Sequence, residues 1–341
     1  MTALIVRLSA IGDVVHALPL LASLARHGWT AGWLVEPPAR PLLEGHPFLD
    51  HLTVAPAARV PAPLAAARAA QGLRARRYDV AVDVQGLWKS AAWARLAGAC
   101  RELGAAGPWR REPRSAWLLR ERVDMSPGPT HVIDLNLALL RPLGIDAVGS
   151  REFALPRFVE DGRTVEARLA ASGPGGGLVV LNPGGGWRGK LWPADRFGAL
   201  ARALRERGLA PLVTWGPGEE PLAARVADAS GGAARTCFAT TLREYVELVR
   251  RARLVVAADT GPLHLACAVG TPVVGLFGPT DPSRNGPFSP DDLTVRRTAP
   301  CTPCHRRRCR IHEGVMAGIE VAEVLAAADR RLAAGVRALA L

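Results

Sequence analysis

Short apolar runs alternate along most of the chain with stretches whose apolar positions recur every three or four residues. Runs of strand length bounded by Gly, Pro and charge predict strands, and the three-to-four spacing predicts amphipathic helices. In the first half this pattern predicts a strand over Ala3–Leu8, a tight turn at Ser9–Gly12 and a helix over Asp13–Arg26. Further strands are expected at Trp33–Glu36 and Val80–Val84, with helices over Pro63–Arg76, Gly86–Leu96 and His131–Leu143. The second half predicts strands at Leu178–Asn182, Leu212–Trp215, Leu254–Ala258 and Val273–Phe277. Its helices are expected over Val159–Ala171, Pro193–Arg207, Pro262–Val269 and Val321–Leu339. Such alternation is the signature of parallel α/β layers.

A chain of 341 residues suits two domains. The run SGPGGG at 172–177 is the natural break. Three segments are therefore expected: residues 1–165, residues 175–320, and a terminal helix at 321–341 that packs back on the first domain. No apolar run approaches the roughly 20 residues of a membrane span. The opening segment carries Arg7 and Asp13 inside its apolar run and has no basic leader, so it reads as strand, turn and helix, and a cytoplasmic protein is expected.

Charge changes the picture modestly. The formal net charge is +12, yet residues 1–170 hold 21 basic and 16 acidic side chains and the remainder 22 and 15. Only the stretches 306–310 and 109–114 are locally dense. Without a basic tail or an aromatic–Arg stacking pattern, nucleic acid is not the expected partner; an anionic substrate or a membrane surface is.

In open parallel sheets, ligands bind beyond the carboxyl ends of the strands, where helix N-termini point. Three polar clusters fall at such places. Ser9–Asp13 follows the opening strand; Asp13 serves there either as a helix cap or as a carboxylate able to take a proton from a hydroxyl. Residues 182–190 (NPGGGWRGK) join a strand to a helix through glycines that let an anion approach backbone N–H groups. They match neither standard nucleotide fingerprint. Lys190 in that loop is one of only two lysines, beside Lys89, among 43 basic residues, and a compact point charge suits a phosphate. Asp259–His264 (DTGPLH) is a third junction, able to offer amides and a hydroxyl to a diphosphate. The segment 216–220 (GPGEE) adds carboxylates suited to ribose hydroxyls.

Six cysteines are present. Cys100, Cys237 and Cys267 sit in apolar contexts and are expected in the core. Cys301, Cys304, Cys309 and His312 have ligand-like spacing; they form either a structural zinc site or a Cys-rich loop.

At these clusters the chain resembles glycosyltransferase family 9, the ADP-heptose:lipopolysaccharide heptosyltransferases. The resemblance spans almost the whole length and rests on LSAIGDVVHALP (8–19), DVQGLWKSA (83–91), GKLWP (189–193), WGPGEE (215–220) and AADTGPLHLACAVGTPVVGLFGPTDP (257–282). Its early motifs look most like the heptosyltransferase I type. The resemblance implies a GT-B architecture, two Rossmann-like domains facing across a cleft, and an inverting transfer with no required cofactor or metal. It implies Asp13 as general base. Lys190, Gly185, Gly186, Asp259, Thr260, Gly261 and His264 would hold the donor diphosphate and sugar, and Glu220, less so Glu219, its ribose. An ADP-sugar donor, a lipopolysaccharide inner-core acceptor and a peripheral place at the inner membrane follow. Ser9, Gly12, Lys89, Arg110, Arg111 and Arg114 are the acceptor-side expectation.

The sequence departs from the family at two places. Gly184–Gly186 stand where members often carry Ser or Thr, and Val315 stands where the C-terminal Cys pattern has a further Cys. Rival classes are a heptosyltransferase of type II or III, a GT-B-fold sugar-nucleotide epimerase and a non-catalytic nucleotide-binding module.

Overall fold

A computed structural model describes residues 1–56, 63–126, 128, 130–172, 177–304 and 314–338. The chain divides into two units, Met1–Pro156 and Arg157–Leu341. The helix Val159–Ser172, expected at the end of the first domain, thus belongs to the second, where it packs on the helix Leu242–Val249.

The first unit is built on six parallel strands: β1 Thr2–Val6, β2 Thr30–Val35, β3 His51–Val54, β4 Val80–Asp83, β5 Arg101–Ala105 and β6 Glu121–Val123. Their order is β3-β2-β1-β4-β5-β6. The second unit has β7 Gly177–Asn182, β8 Leu209–Val213, β9 Arg235–Thr236, β10 Leu254–Ala258, β11 Val273–Phe277 and β12 Leu293–Arg296, ordered β12-β11-β10-β7-β8-β9. Numbered within its own unit, the second sheet repeats the first. This is the doubly wound arrangement, whose strand order reverses at the first strand and leaves a crevice there. The reversals fall between β1 and β4 and between β7 and β10.

The central strands β1, β4, β7, β10 and β11 read as near-continuous apolar runs because helices cover both faces of a parallel sheet. The strands that the pattern missed, β3, β5, β6, β9 and β12, lie toward or at the sheet edges and carry charge or are very short. Three unpredicted helices, Glu220–Ala229, Leu242–Val249 and the single turn Pro282–Asn285, lie among the described residues of the second unit. The first predicted helix is two, Ile11–Val15 and Leu18–Arg26, with Pro19 at the start of the second.

Packing around one tryptophan fixes the loop that carries Lys190. Trp192 is buried, stacks edge-on against Phe197 with ring centroids 4.8 Å apart, and donates its indole N–H to the Ile319 carbonyl at 3.0 Å. The terminal helix Val321–Ala338 buries Val324, Ala327 and Ala328 in the same core, against the helix Ala194–Glu206 and strands β11 and β12. Burial pushes the Cys237 thiol up to about 12 and raises Cys267 as well, so both are inert. Cys100, by contrast, is exposed just before β5.

A buried ion pair ties the terminal helix to the sheet. Arg331 Nε meets Asp292 Oδ1 at 2.8 Å with side chains 9% and 2% exposed, and the same oxygen accepts the Val273 amide at 3.0 Å. Arg331→Ala leaves that carboxylate buried without its cation. The expected loss is about 3–5 kcal/mol, read as a lower denaturant midpoint at unchanged slope.

Candidate active site

In the second unit, the polar residues expected at separate junctions converge at the reversal point. Asp259 follows β10 and Asn182 ends β7, the two neighbouring strands at the crevice. Lys190 reaches across from the loop after β7, its Nζ 2.7 Å from Asp259 Oδ2 and 2.9 Å from the Asp259 carbonyl. The ammonium also lies 4.8 Å from the centre of the Trp187 ring, a cation–π contact. His264, one turn into the helix Gly261–Ala268, brings Nε2 to 3.1 Å from the other oxygen of Asp259.

Burial by itself would raise the Asp259 carboxyl. The hydrogen bond with His264 and the charge and hydrogen bond of Lys190 outweigh it and hold the group far below the usual carboxylate range. Asp259 is therefore a fixed negative charge that locks a cation and an imidazole in place. Thr260 turns its hydroxyl to the Ala258 carbonyl at 3.2 Å and makes no side-chain cap, leaving the Gly261 end of the helix without one. A helix start of that kind attracts anions.

The glycine loop has a steric explanation. A Cβ at Gly184 would lie 2.0 Å from Glu219 Oε2, and one at Gly185 would lie 2.9 Å from Thr260 Cγ2. Serine or threonine has no room at either position as packed; at Gly186 nothing stands within 4 Å. Glu219 fills the space, accepting the Gly185 amide at 2.8 Å on Oε1 and the Gly216 amide at 3.0 Å on Oε2. It joins the two glycine turns. Glu220, preferred from the motif, instead begins the helix Glu220–Ala229 and is exposed.

In the first unit, Asp13 lies in the first turn of the helix Ile11–Val15, three residues after the N-cap Ala10. Its Oδ2 accepts the Ala10 amide at 3.2 Å and pairs with Arg7 at 2.7 Å. Its side chain is 46% exposed, and Oδ1 takes no hydrogen bond among the described residues. Arg7 is buried and anchored to the Val84 carbonyl at 2.8 Å, so the loop after β4 fixes the orientation of Asp13. Ser9 is half-buried and Gly12 buried in the same turn.

The acceptor-side basic residues separate into three kinds. Arg110 does not stand ready for an external anion: its guanidinium is 0% exposed, 2.5 Å from Asp83 Oδ2 and 2.8 Å from the Ser115 hydroxyl. Asp83 ends β4 in the interior, and a buried carboxylate needs that partner. Lys89 pairs with Glu36 at 2.5 Å on the surface. Arg111 and Arg114 are exposed.

Arg7 and Asp83, unassigned from sequence, carry one signal: each is a charge at the carboxyl end of an otherwise apolar strand. Among the described residues no group of three or more His, Cys, Asp and Glu side chains could hold a metal ion. Cys301 and Cys304 are described, whereas Cys309 and His312 lie outside the described residues.

Two Rossmann-like units with polar reversal points fit the GT-B class of fold, in which the ligand sites lie at such points. Known proteins agree. The family model of glycosyltransferase family 9 (heptosyltransferase) matches residues 66–314. Lipopolysaccharide heptosyltransferase 1 of Pseudomonas aeruginosa is 30% identical over 319 residues, 91% of this chain and 87% of that one. The Escherichia coli heptosyltransferase WaaC with ADP superposes with a TM-score of 0.77 at 24% identity, covering 97% of this chain and 100% of that one. WaaC with ADP-2-deoxy-2-fluoro heptose gives 0.71 at 25% identity, covering 87% and 93%. The chain belongs to glycosyltransferase family 9.

The charge network has a pH consequence. Because the folded Asp259 titrates below its unfolded value of about 3.9, its stabilisation is complete above that value and is lost as pH falls toward the folded one. Asp259→Asn is expected to unfold at lower denaturant than the wild type near pH 7, with the difference shrinking as pH is lowered to about 2.

Proposed function

We propose that this glycosyltransferase moves heptose from ADP-L-glycero-D-manno-heptose onto the Kdo of the lipopolysaccharide inner core, with inversion and without a metal in the chemistry. It would work in the cytoplasm, peripherally at the inner membrane; no described helix is long and apolar enough to cross one. The observation that carries the reading is the convergence of Lys190, Asp259, His264, Thr260 and Gly185 at one reversal point. The similarity to heptosyltransferase 1, and an ADP-heptose analogue held by a relative that matches over most of its length, support this donor.

The chemistry assigns each residue a task. A hydroxyl oxygen of the acceptor bonds to the anomeric carbon from the face opposite the diphosphate. The anomeric C–O bond breaks, and its electron pair leaves on ADP. Asp13 receives the hydroxyl proton on its unbonded oxygen, with Arg7 holding the other. Lys190, the Gly261 end of its helix and Gly186 meet the charge that grows on the diphosphate. Such preorganised donors contribute about 3–4 kcal/mol each. Asp259 and His264 border the transferred sugar, Glu219 holds the glycine turns together, and Glu220 is left for the ribose. Ser9, Gly12, Arg111 and Arg114 serve the anionic acceptor.

The direct test supplies ADP-heptose with and without heptose-deficient lipopolysaccharide. ADP release only in the presence of acceptor supports the assignment; an untouched donor in both reactions refutes it. Asp13→Ala is expected to lower turnover by roughly 10²–10⁴-fold while ADP binding stays within a few-fold, as calorimetry would show. Lys190→Ala should weaken ADP binding and slow turnover by roughly 10²–10³-fold together.

A further inference from the structure

The loops after β4 and β5 carry three exposed tryptophans to which the transfer chemistry assigns no part. Among the described residues eight large hydrophobic side chains are exposed, and the three aromatic ones are Trp88, Trp109 and Trp117, exposed by 44%, 38% and 66%. All three belong to one loop system in the first unit. Trp88 starts the helix Trp88–Leu96, Trp109 ends the turn Gly107–Trp109, and Trp117 lies in the turn Pro113–Leu118.

This loop system is rigidly braced from beneath. The buried Asp83–Arg110 pair joins the end of β4 to the 107–115 segment. Glu112 clips the two loops together, its carboxylate accepting the Trp88 amide at 2.6 Å and its own amide donating to the Gly86 carbonyl at 3.1 Å. Trp109 is steadied by its indole N–H, which donates to Asp124 at 3.3 Å. Presenting three indole rings to water on a braced scaffold forgoes burial that a core would reward, and tryptophan has a specific use at such places. Its amphipathic ring settles at the boundary between lipid headgroups and acyl chains.

The charge around the rings points the same way. Residues 83–124 carry eight basic and five acidic side chains. Asp83 is neutralised internally by Arg110 and Lys89 is paired with Glu36, while Arg111 and Arg114 are exposed in the same loop as Trp109 and Trp117. Arg114 lies over the Trp117 ring, 5.9 Å from its centre. Basic side chains interleaved with interfacial aromatics complement an anionic leaflet, each contributing attraction at low salt while the rings insert.

We infer that Trp88, Trp109 and Trp117, with the basic residues among them, seat the first unit on the surface of an anionic phospholipid membrane. The inference deepens the proposed function, resting on its membrane-embedded acceptor, and assigns the surface that delivers the enzyme to it. The probe is sedimentation of the full chain with phosphatidylcholine vesicles, with and without roughly one third phosphatidylglycerol. The wild type is expected to bind the anionic vesicles, less so at about 0.5 M salt, and to bind neutral ones weakly.

The double variant Trp88→Ala/Trp117→Ala should bind the anionic vesicles about tenfold or more weakly. Its thermal unfolding and its transfer to a water-soluble acceptor stripped of acyl chains should stay at wild-type levels. The single variant Trp117→Ala, at the most exposed ring, should fall between the two. Unchanged vesicle binding in the double variant, or equal wild-type binding to neutral vesicles, overturns the proposal. So does a parallel loss of transfer to the soluble acceptor, which would place the rings in the acceptor site. Wild-type transfer without vesicle binding sinks this inference alone, whereas vesicle binding without transfer sinks the heptosyltransferase reading alone.

Discussion

A buried carboxylate at the end of β10 organises the second unit. Asp259 is nearly inaccessible to water, and a charge there persists only with partners close by. It takes Lys190 on one oxygen and His264 on the other. These contacts draw the glycine loop after β7 against the start of the helix Gly261–Ala268, so close that a Cβ at Gly185 would meet the Thr260 side chain. Without Asp259 the ammonium would have no fixed seat, and the two anion-attracting features would be independent loops.

The first unit solves a similar problem with opposite charges. Arg7 is the buried cation, and it holds the partly exposed Asp13 by one oxygen. Asp83 at the end of the neighbouring β4 is buried against Arg110. Each unit thus places a buried charge at its reversal point and uses it to set the direction of a nearby group. In a medium of low dielectric such pairs are rigid, because removing either member strands the other. Rigidity of this sort suits groups whose positions decide a reaction.

Much of this was legible beforehand. The central strands announce themselves as apolar runs, and the residues just past them are where a parallel sheet holds ligands. Hence Asp13, Lys190, Asp259 and His264 could be singled out in order along the chain. The outer strands were harder: β5 begins Arg-Glu and β9 has two residues, so neither presents an unbroken apolar run. The choice between Glu219 and Glu220 was hidden as well, since adjacent carboxylates differ only in which one the helix start turns toward the glycine loop.

The sequence by itself determined the alternation of strand and helix, the class of fold and the short polar segments able to bind an anion, because each depends on local periodicity and on residue type. Tertiary structure alone decided partnership. It buried Arg110 on Asp83 although Arg111 beside it stays exposed, gave Lys190 to a residue 69 positions away, and joined the two loops that carry three exposed tryptophans. Partnership of that kind follows from which strand lies next to which. Strand order is set by the packing of the whole sheet, which no stretch of neighbouring residues encodes.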